Sequence, residues 1–107
     1  MADSTALGPI VVQKYGGSSV ATPEKIRDVA ERVKQRLTEH SRLVVAVSAM
    51  GKTTDQLVGL ARQVSSRPHG REMDLMLASG EQVAVSLLGL ALQDAGVPAI
   101  ALTVAQC

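Results

Sequence analysis

A short stretch from Val11 to Ser19 places a lysine, two glycines and two serines directly after an apolar run, and Thr22 follows as a helix start signal. Glycines let backbone N–H groups approach an anion closely, and a helix N-terminus adds free N–H groups and the positive end of its dipole. With the charge of Lys14 beside Gly16 and Gly17, the pattern predicts an anion site for a phosphate. A plain tight turn also explains two glycines, and the residues alone leave that alternative open.

A second turn, over residues 48–54, lies between another apolar run and a predicted helix. Its Gly51-Lys52-Thr53 resembles the end of a P-loop, but the glycine that a P-loop needs five positions earlier is Ala46 here. The simpler alternative is an ordinary turn in which Thr54 or Asp55 caps the helix that follows.

A third candidate is Glu81, which follows Ser79 and Gly80 at the predicted start of a very apolar helix. An acid in the first turn of a helix stabilises it through the helix dipole by roughly 0.3–1 kcal/mol. The alternative is a carboxylate that pairs with the ammonium group of a substrate. The spacing alone favours the helix-dipole interpretation.

The composition limits the classes of function. With 46% hydrophobic and 20% charged residues among 107, we expect one folded domain. A net charge of +1 and a single aromatic residue, Tyr15, argue against a nucleic-acid partner. Cys107 is the only cysteine, and His40 and His69 are isolated, so we expect no disulfide, no metal site and a reducing cytoplasm. No signal peptide and no membrane-spanning run are predicted.

The order of predicted elements indicates a layered α/β fold with a mainly parallel sheet. We predict a frayed tail over 1–8, with strands over 9–15, 43–47 and 97–102 and helices over 22–39, 54–64, 71–77 and 81–94. The unbroken apolar run at 43–47 predicts a strand that is covered on both faces. Because ligands bind at the carboxyl ends of such strands, the turns at 14–17 and 48–54 are expected to face one crevice.

Three motifs closely resemble those of aspartate kinases, in that family's order and spacing. They are VQKYGGSSV at 12–20, VSAMGKTTDQL at 47–57, and REMD at 71–74 followed by ASGE at 78–81. The resemblance implies the amino-acid-kinase fold, a three-layer αβα sandwich. It also implies transfer of the ATP γ-phosphoryl group to the side-chain carboxylate of L-aspartate. Formation of the product, 4-phospho-L-aspartate, would be the first step of lysine, threonine and methionine biosynthesis in the cytoplasm.

The resemblance also implies roles for individual residues. Lys14 would stabilise the phosphoryl group in transfer, and Tyr15, Gly16 and Gly17 would belong to the nucleotide-phosphate loop. Mg²⁺ is expected on the ATP phosphates, held by them and by parts of the domain outside this chain, with no metal ligand here. Recognition of aspartate would fall to three other residues: Ser48 and Thr54 beside the aspartate, with Thr54 as a hydroxyl donor, and Glu81 on its ammonium group.

The chain also departs from the family pattern. Relatives read threonine-glycine-x-glutamine-alanine-glycine where this chain reads TVAQC at 103–107, with Val104 in the place of glycine. The adenine pocket would lie beyond Cys107, so we expect residues 9–107 to be the N-terminal part of a kinase domain, inactive alone and oligomeric in its full-length form. Two alternatives stay open: another amino-acid kinase, or an inactive fragment that docks on an intact kinase subunit through its apolar helix at 83–92.

Overall fold

The computed structural model describes residues 8–40 and 42–103. In chain order the elements are β1 (Val11–Tyr15), a short 3-10 helix (Gly17–Val20), α1 (Pro23–Arg36), β2 (Leu43–Val47), α2 (Thr53–Val64) and α3 (Gly70–Asp94). Most of the predicted tail over 1–8 and the Val104 departure lie outside the described residues.

β1 and β2 form a parallel pair in which Val11 is opposite Leu43 and Tyr15 is opposite Val47. β2 has the predicted bounds. β1 begins two residues later than predicted, and the backbone N–H of its first residue, Val11, donates to the Arg42 carbonyl at 3.0 Å. The two strands are joined by α1, as a parallel pair requires a crossover.

α1 begins where the sequence predicts. The Thr22 side chain accepts a hydrogen bond from the Lys25 N–H at 3.2 Å, and Pro23 occupies the first turn. The helix ends at Arg36, three residues before the predicted end, and the Thr38 hydroxyl donates to the Gln35 carbonyl at 2.6 Å in the turn that follows. The predicted inner face of α1 is buried and forms the core with residues of α3 and with Val97: Ile26, Val29, Ala30 and Val33.

α3 is one continuous helix, so the predicted break at Ser79 and Gly80 is wrong. The Ser79 hydroxyl donates to the Met76 carbonyl inside the helix, and Gly80 is buried where α3 meets the start of α2. The glycine therefore allows close packing and does not end the helix. By length and composition alone, this 25-residue helix could cross a membrane, contrary to the sequence-based expectation. It packs along α1 and α2 through buried residues that include Ala84, Leu88 and Leu92.

The described helices cover one face of the sheet only. Tyr15, Val45 and Val47 pack against the core, whereas Val12 and Val44 on the opposite face are 67% and 52% exposed. Alternate residues of a strand point to opposite faces, and the described helices pack on the core side alone. The prediction that β2 is covered on both faces is therefore wrong for the part of the chain described.

The predicted third strand is absent from the described residues, because 97–103 adopt no regular secondary structure. Gly96, with φ +83°, ends α3 as predicted, and the Val97 N–H donates to the Leu92 carbonyl at 2.9 Å. The chain then passes an open groove of about 350 Å³ whose lining includes Val45 and Ala99. Across that groove, the segment forms no ladder with β2.

We predict that Val29→Ala lowers the free energy of unfolding by about 1.5–3 kcal/mol, because Val29 is fully buried in α1. Val64→Ala is the matched control, since Val64 is 89% exposed, and should change stability by less than about 0.5 kcal/mol. Urea unfolding of both variants checks the prediction. Equal losses would contradict the assignment of the core.

Candidate active site

The structure brings the two predicted turns into contact at the carboxyl ends of β1 and β2. The Ser48 N–H donates to the Tyr15 carbonyl at 3.1 Å, which continues the strand ladder by one bond. Further on, the Gly51 N–H donates to the Gly17 carbonyl at 2.9 Å. Two turns that are far apart in sequence therefore form one backbone unit.

The first turn leaves β1 through an extended Gly16 and enters the 3-10 helix, where the Ser19 N–H donates to the Gly16 carbonyl at 3.1 Å. Among the described residues, none accepts a hydrogen bond from the amides of Gly17 or Ser18. Free amides in a turn after a strand are the donors that an anion site requires.

The two glycines of this turn differ in what they permit. A β-carbon on Gly17 would lie 2.9 Å from the Ala49 carbonyl oxygen, a distance that real β-carbons essentially never show. At Gly16 a β-carbon would meet nothing within 4 Å. Packing within the described residues therefore requires glycine at position 17 and not at position 16.

Lys14 lies on the exposed face of β1, with Val12 and on the side of the sheet opposite Tyr15. Its ammonium group makes no hydrogen bond or ion pair with any described residue. An ammonium group without a protein partner can bind an anion without first breaking a protein contact.

Tyr15 is predicted to belong to the phosphate loop, but its side chain points away from the turn. It is half-buried against the core, and its hydroxyl donates to Gln13 Oε1 at 3.3 Å. What Tyr15 contributes to the turn is its backbone carbonyl, which holds the Ser48 N–H. Its side chain is a packing element in this structure.

The second turn leads into α2 without a side-chain cap. Gly51 has φ +48°, a left-handed conformation that favours glycine, and Lys52 stands in the N-cap position with no side-chain hydrogen bond to the helix. The alternative in which Thr54 or Asp55 caps α2 is therefore wrong. The first N–H groups of α2 have no capping side chain and, with the helix dipole, favour negative charge.

Glu81 lies near the middle of α3 and not in its first turn, so the helix-dipole interpretation of this residue is wrong. Its side chain is exposed and makes no hydrogen bond or ion pair with the described residues. A mid-helix carboxylate without a partner gains little from the dipole, which acts within the terminal turns. This geometry removes the simpler explanation that the sequence favoured.

The three predicted aspartate-binding residues are next in sequence to residues that meet at one contact. A β-carbon on Gly80 would lie 3.2 Å from Ala49 Cβ and 3.2 Å from Thr53 Cγ2, so α3 rests directly on the second turn and on the start of α2. Each predicted residue is the chain neighbour of a member of this contact: Ser48 of Ala49, Thr54 of Thr53, and Glu81 of Gly80.

Sequence reasoning missed two residues that shape the site. The Lys25 ammonium group donates to the Ser18 carbonyl at 3.2 Å and so reaches back from α1 to the first turn. Its position in the first turn of α1 was the available signal. Ala49 is buried between the first turn and α3, and although it lies inside the motif at 47–57 the sequence analysis gave it no role.

The described residues contain no group of three or more histidine, cysteine, aspartate or glutamate side chains that could hold a metal ion. That this chain supplies no metal ligand stays a prediction.

Comparison with known proteins identifies the family. A sequence model of the Amino acid kinase family matches residues 9–107. The chain belongs to the amino acid kinase family. Aspartokinases from Geobacillus stearothermophilus and Mycolicibacterium smegmatis are 51% and 50% identical to it over 94 and 97 residues, or 88% and 91% of this chain. The match spans 23% of the length of each of these relatives.

The fold agrees with that family. An aspartate kinase from Synechocystis superposes with a TM-score of 0.82 and 54% identity, over 86% of this chain and 16% of that one. The predicted amino-acid-kinase αβα fold is confirmed. In the described residues it is represented by the parallel strand pair and the helices on its one covered face.

We predict that Gly17→Ala destabilises the protein by about 1–3 kcal/mol, because the added methyl group meets a backbone oxygen that cannot move alone. Gly16→Ala is the matched control and should stay within about 0.5 kcal/mol of the wild type. Urea unfolding measures both. Similar stabilities for the two variants would show that the turns are not packed as described.

Proposed function

We propose that this chain supplies part of the active site of an aspartate kinase, which transfers the γ-phosphoryl group of ATP to the side-chain carboxylate of L-aspartate. The observation that carries the proposal is the Gly51–Gly17 hydrogen bond, which joins a phosphate-type turn to a second turn beside Glu81. The names of the similar proteins, aspartokinase and aspartate kinase, support the same reaction.

The first turn is the proposed phosphate side. The Lys14 ammonium group and the free amides of Gly17 and Ser18 can neutralise and orient the ATP phosphates. Gly16 leaves open space at the turn, and Lys25 ties the turn to α1. In the reaction an aspartate carboxylate oxygen bonds to the γ-phosphorus while the bond to the bridging oxygen breaks, and ADP leaves. Catalysis of this type is mainly positioning and charge stabilisation.

The second turn and α3 are the proposed aspartate side. Ser48 and the Thr54 hydroxyl can donate to a carboxylate at the uncapped start of α2, where the helix dipole favours negative charge. Glu81 can accept from the substrate ammonium group, because no described residue engages its carboxylate. This anion-binding feature and the acidic side chain would match one carboxylate and the ammonium group of aspartate.

Finer parts of the proposal rest on the resemblance of the three motifs to those of aspartate kinases. When bound, Mg²⁺ would neutralise charge on the ATP phosphates. The product, 4-phospho-L-aspartate, would enter lysine, threonine and methionine biosynthesis in the cytoplasm. We expect small-molecule substrates, no nucleic-acid or membrane partner, and a homo- or hetero-oligomeric full-length protein.

The decisive experiment completes the kinase. In a chimera, here called the completed kinase, this chain replaces the 94 matching residues of the Geobacillus stearothermophilus aspartokinase. We expect it to form an acyl phosphate from ATP and L-aspartate, and not from L-glutamate, while the 107-residue chain alone forms none. The isolated chain has one aromatic residue, which is half-buried, so it offers no aromatic platform to hold adenine. Without that hold the ATP is not kept in line with the acceptor carboxylate, and misplacing a reactant by about 1 Å can cost on the order of a hundredfold in rate.

Two outcomes would overturn the proposal. A completed kinase that phosphorylates glutamate in preference to aspartate would assign the chain to another amino-acid kinase. Turnover by the isolated chain at the rate of the completed kinase would show that this chain holds the whole nucleotide and supplies more than part of the active site.

Lys14→Ala in the completed kinase should lower kcat about 10²–10³-fold and change the aspartate KM little, because the charge acts on the phosphoryl group in transfer. Lys34→Ala is the control, since Lys34 is an exposed lysine in the last turn of α1. Steady-state kinetics with both substrates give the answer. A kcat near that of the parent would remove Lys14 from the mechanism.

Glu81→Gln should raise the aspartate KM roughly 10–100-fold and leave the ATP KM unchanged, because a hydrogen bond to a charged group is lost. Glu72→Gln provides the control on the same helix, in its first turn. KM values for both substrates should be measured together with the melting temperature. A normal aspartate KM would exclude Glu81 as the ammonium ligand.

A further inference from the structure

One close approach of α3 to the second turn and to the start of α2 is at a glycine. A β-carbon on Gly80 would lie 3.2 Å from Ala49 Cβ, 3.2 Å from Thr53 Cγ2 and 3.4 Å from Leu57 Cδ1. The first two distances are tighter than nine in ten real contacts of a β-carbon. A side chain at position 80 would therefore force its neighbours or the helix to shift by a few tenths of an ångström.

The packing restricts which partner can shift. Ala49 has no side-chain torsion, so its methyl group moves only with the backbone of the second turn. That backbone is supported from behind, because the Ala49 carbonyl oxygen lies against Gly17, where a β-carbon would come within 2.9 Å of it. The Gly51–Gly17 hydrogen bond holds the same turn in place. The displacement would therefore fall on α3, which carries Glu81.

The other glycines inside helices provide a comparison. Glycine is less favourable than alanine in a helix interior, so each one invites a packing explanation. A β-carbon on Gly59 would meet nothing within 4 Å, and one on Gly89 would make an ordinary contact of 3.6 Å with Ala101. Of these three helical glycines, only Gly80 is tightly enclosed.

We propose that Gly80 is a positioning residue for the substrate ammonium group. By letting α3 rest on Ala49 and Thr53, it sets the position of Glu81 relative to the start of α2. The inference rests on the proposed function, because it assumes that Glu81 binds this ammonium group. Gly80 itself touches no reacting atom, and its effect passes through the carboxylate of its neighbour.

The experiment is a set of compensating variants in the completed kinase. Gly80→Ala should raise the aspartate KM about three- to tenfold, because the shift of a few tenths of an ångström is a fraction of the 1 Å that costs on the order of a hundredfold. The ATP KM should change less, since the phosphate turn lies on the other side of Ala49. Adding Ala49→Gly or Thr53→Ser to Gly80→Ala removes one of the two close atoms. The aspartate KM of each double variant should then fall toward that of Ala49→Gly alone or Thr53→Ser alone.

Gly59→Ala and Gly89→Ala are the matched controls for replacing a helical glycine, and both should keep the parental aspartate KM. The inference is overturned if Gly80→Ala keeps that KM, or if neither second substitution lowers a KM that has risen. Should Gly80→Ala alone not fold, Ala49→Gly/Gly80→Ala carries the test. That double variant should fold with a KM near that of Ala49→Gly, and a raised KM or failure to fold contradicts the inference.

The outcome separates this inference from the proposed function. If Glu81→Gln leaves the aspartate KM unchanged, the assignment of Glu81 fails, whatever Gly80→Ala does. If Glu81→Gln raises that KM while Gly80→Ala does not, the proposed function stands and only the positioning role of Gly80 is overturned.

Discussion

The hydrogen bond from the Gly51 N–H to the Gly17 carbonyl is the constraint on which the rest of the site depends. It needs glycine at both ends for different reasons. Gly17 has no β-carbon to strike the Ala49 carbonyl, and Gly51 adopts a left-handed backbone that other residues disfavour. With this bond in place, two strand-end turns become one surface on which α3 can rest. The parallel pairing of β1 and β2 brings the two turns close together, and the glycines allow their backbones to come into contact.

Lys14 and Tyr15, two residues of the predicted site, lie on opposite faces of the sheet. Lys14 shares its face of β1 with Val12, which the described helices leave exposed, while Tyr15 points to the covered face and packs in the core. The proposed catalytic charge is therefore on the side where described side chains do not compete for it. The exposed fractions of Val44, Val83 and Leu90, at 52%, 55% and 61%, show that apolar area remains uncovered on both the sheet and α3. Such surfaces favour association.

Local signals in the sequence were sufficient for some elements. Thr22 and Pro23 located the start of α1, the apolar run at 43–47 located β2, and Gly96 located the end of α3. The motifs were sufficient for the family and the fold. What failed depended on tertiary contacts. From its neighbours in sequence, Gly80 is expected to end a helix, but its contacts with Ala49 and Thr53 explain the glycine instead. The wrongly predicted break also placed Glu81 in the first turn of a helix, whereas α3 is continuous there. The strand predicted over 97–102 needs a ladder partner, which the described residues do not provide.

Hydrogen exchange at the Gly51 amide of the completed kinase tests most directly whether the two turns form one preformed unit. We predict that, without ligands, this amide is protected from exchange as strongly as the amides of β2, because it donates across to the first turn at 2.9 Å. The free amide of Gly17 should exchange rapidly until a nucleotide is added. Exchange of the Gly51 amide at the rate of an open loop would contradict the account, since the turns would then be held together only when substrates bind.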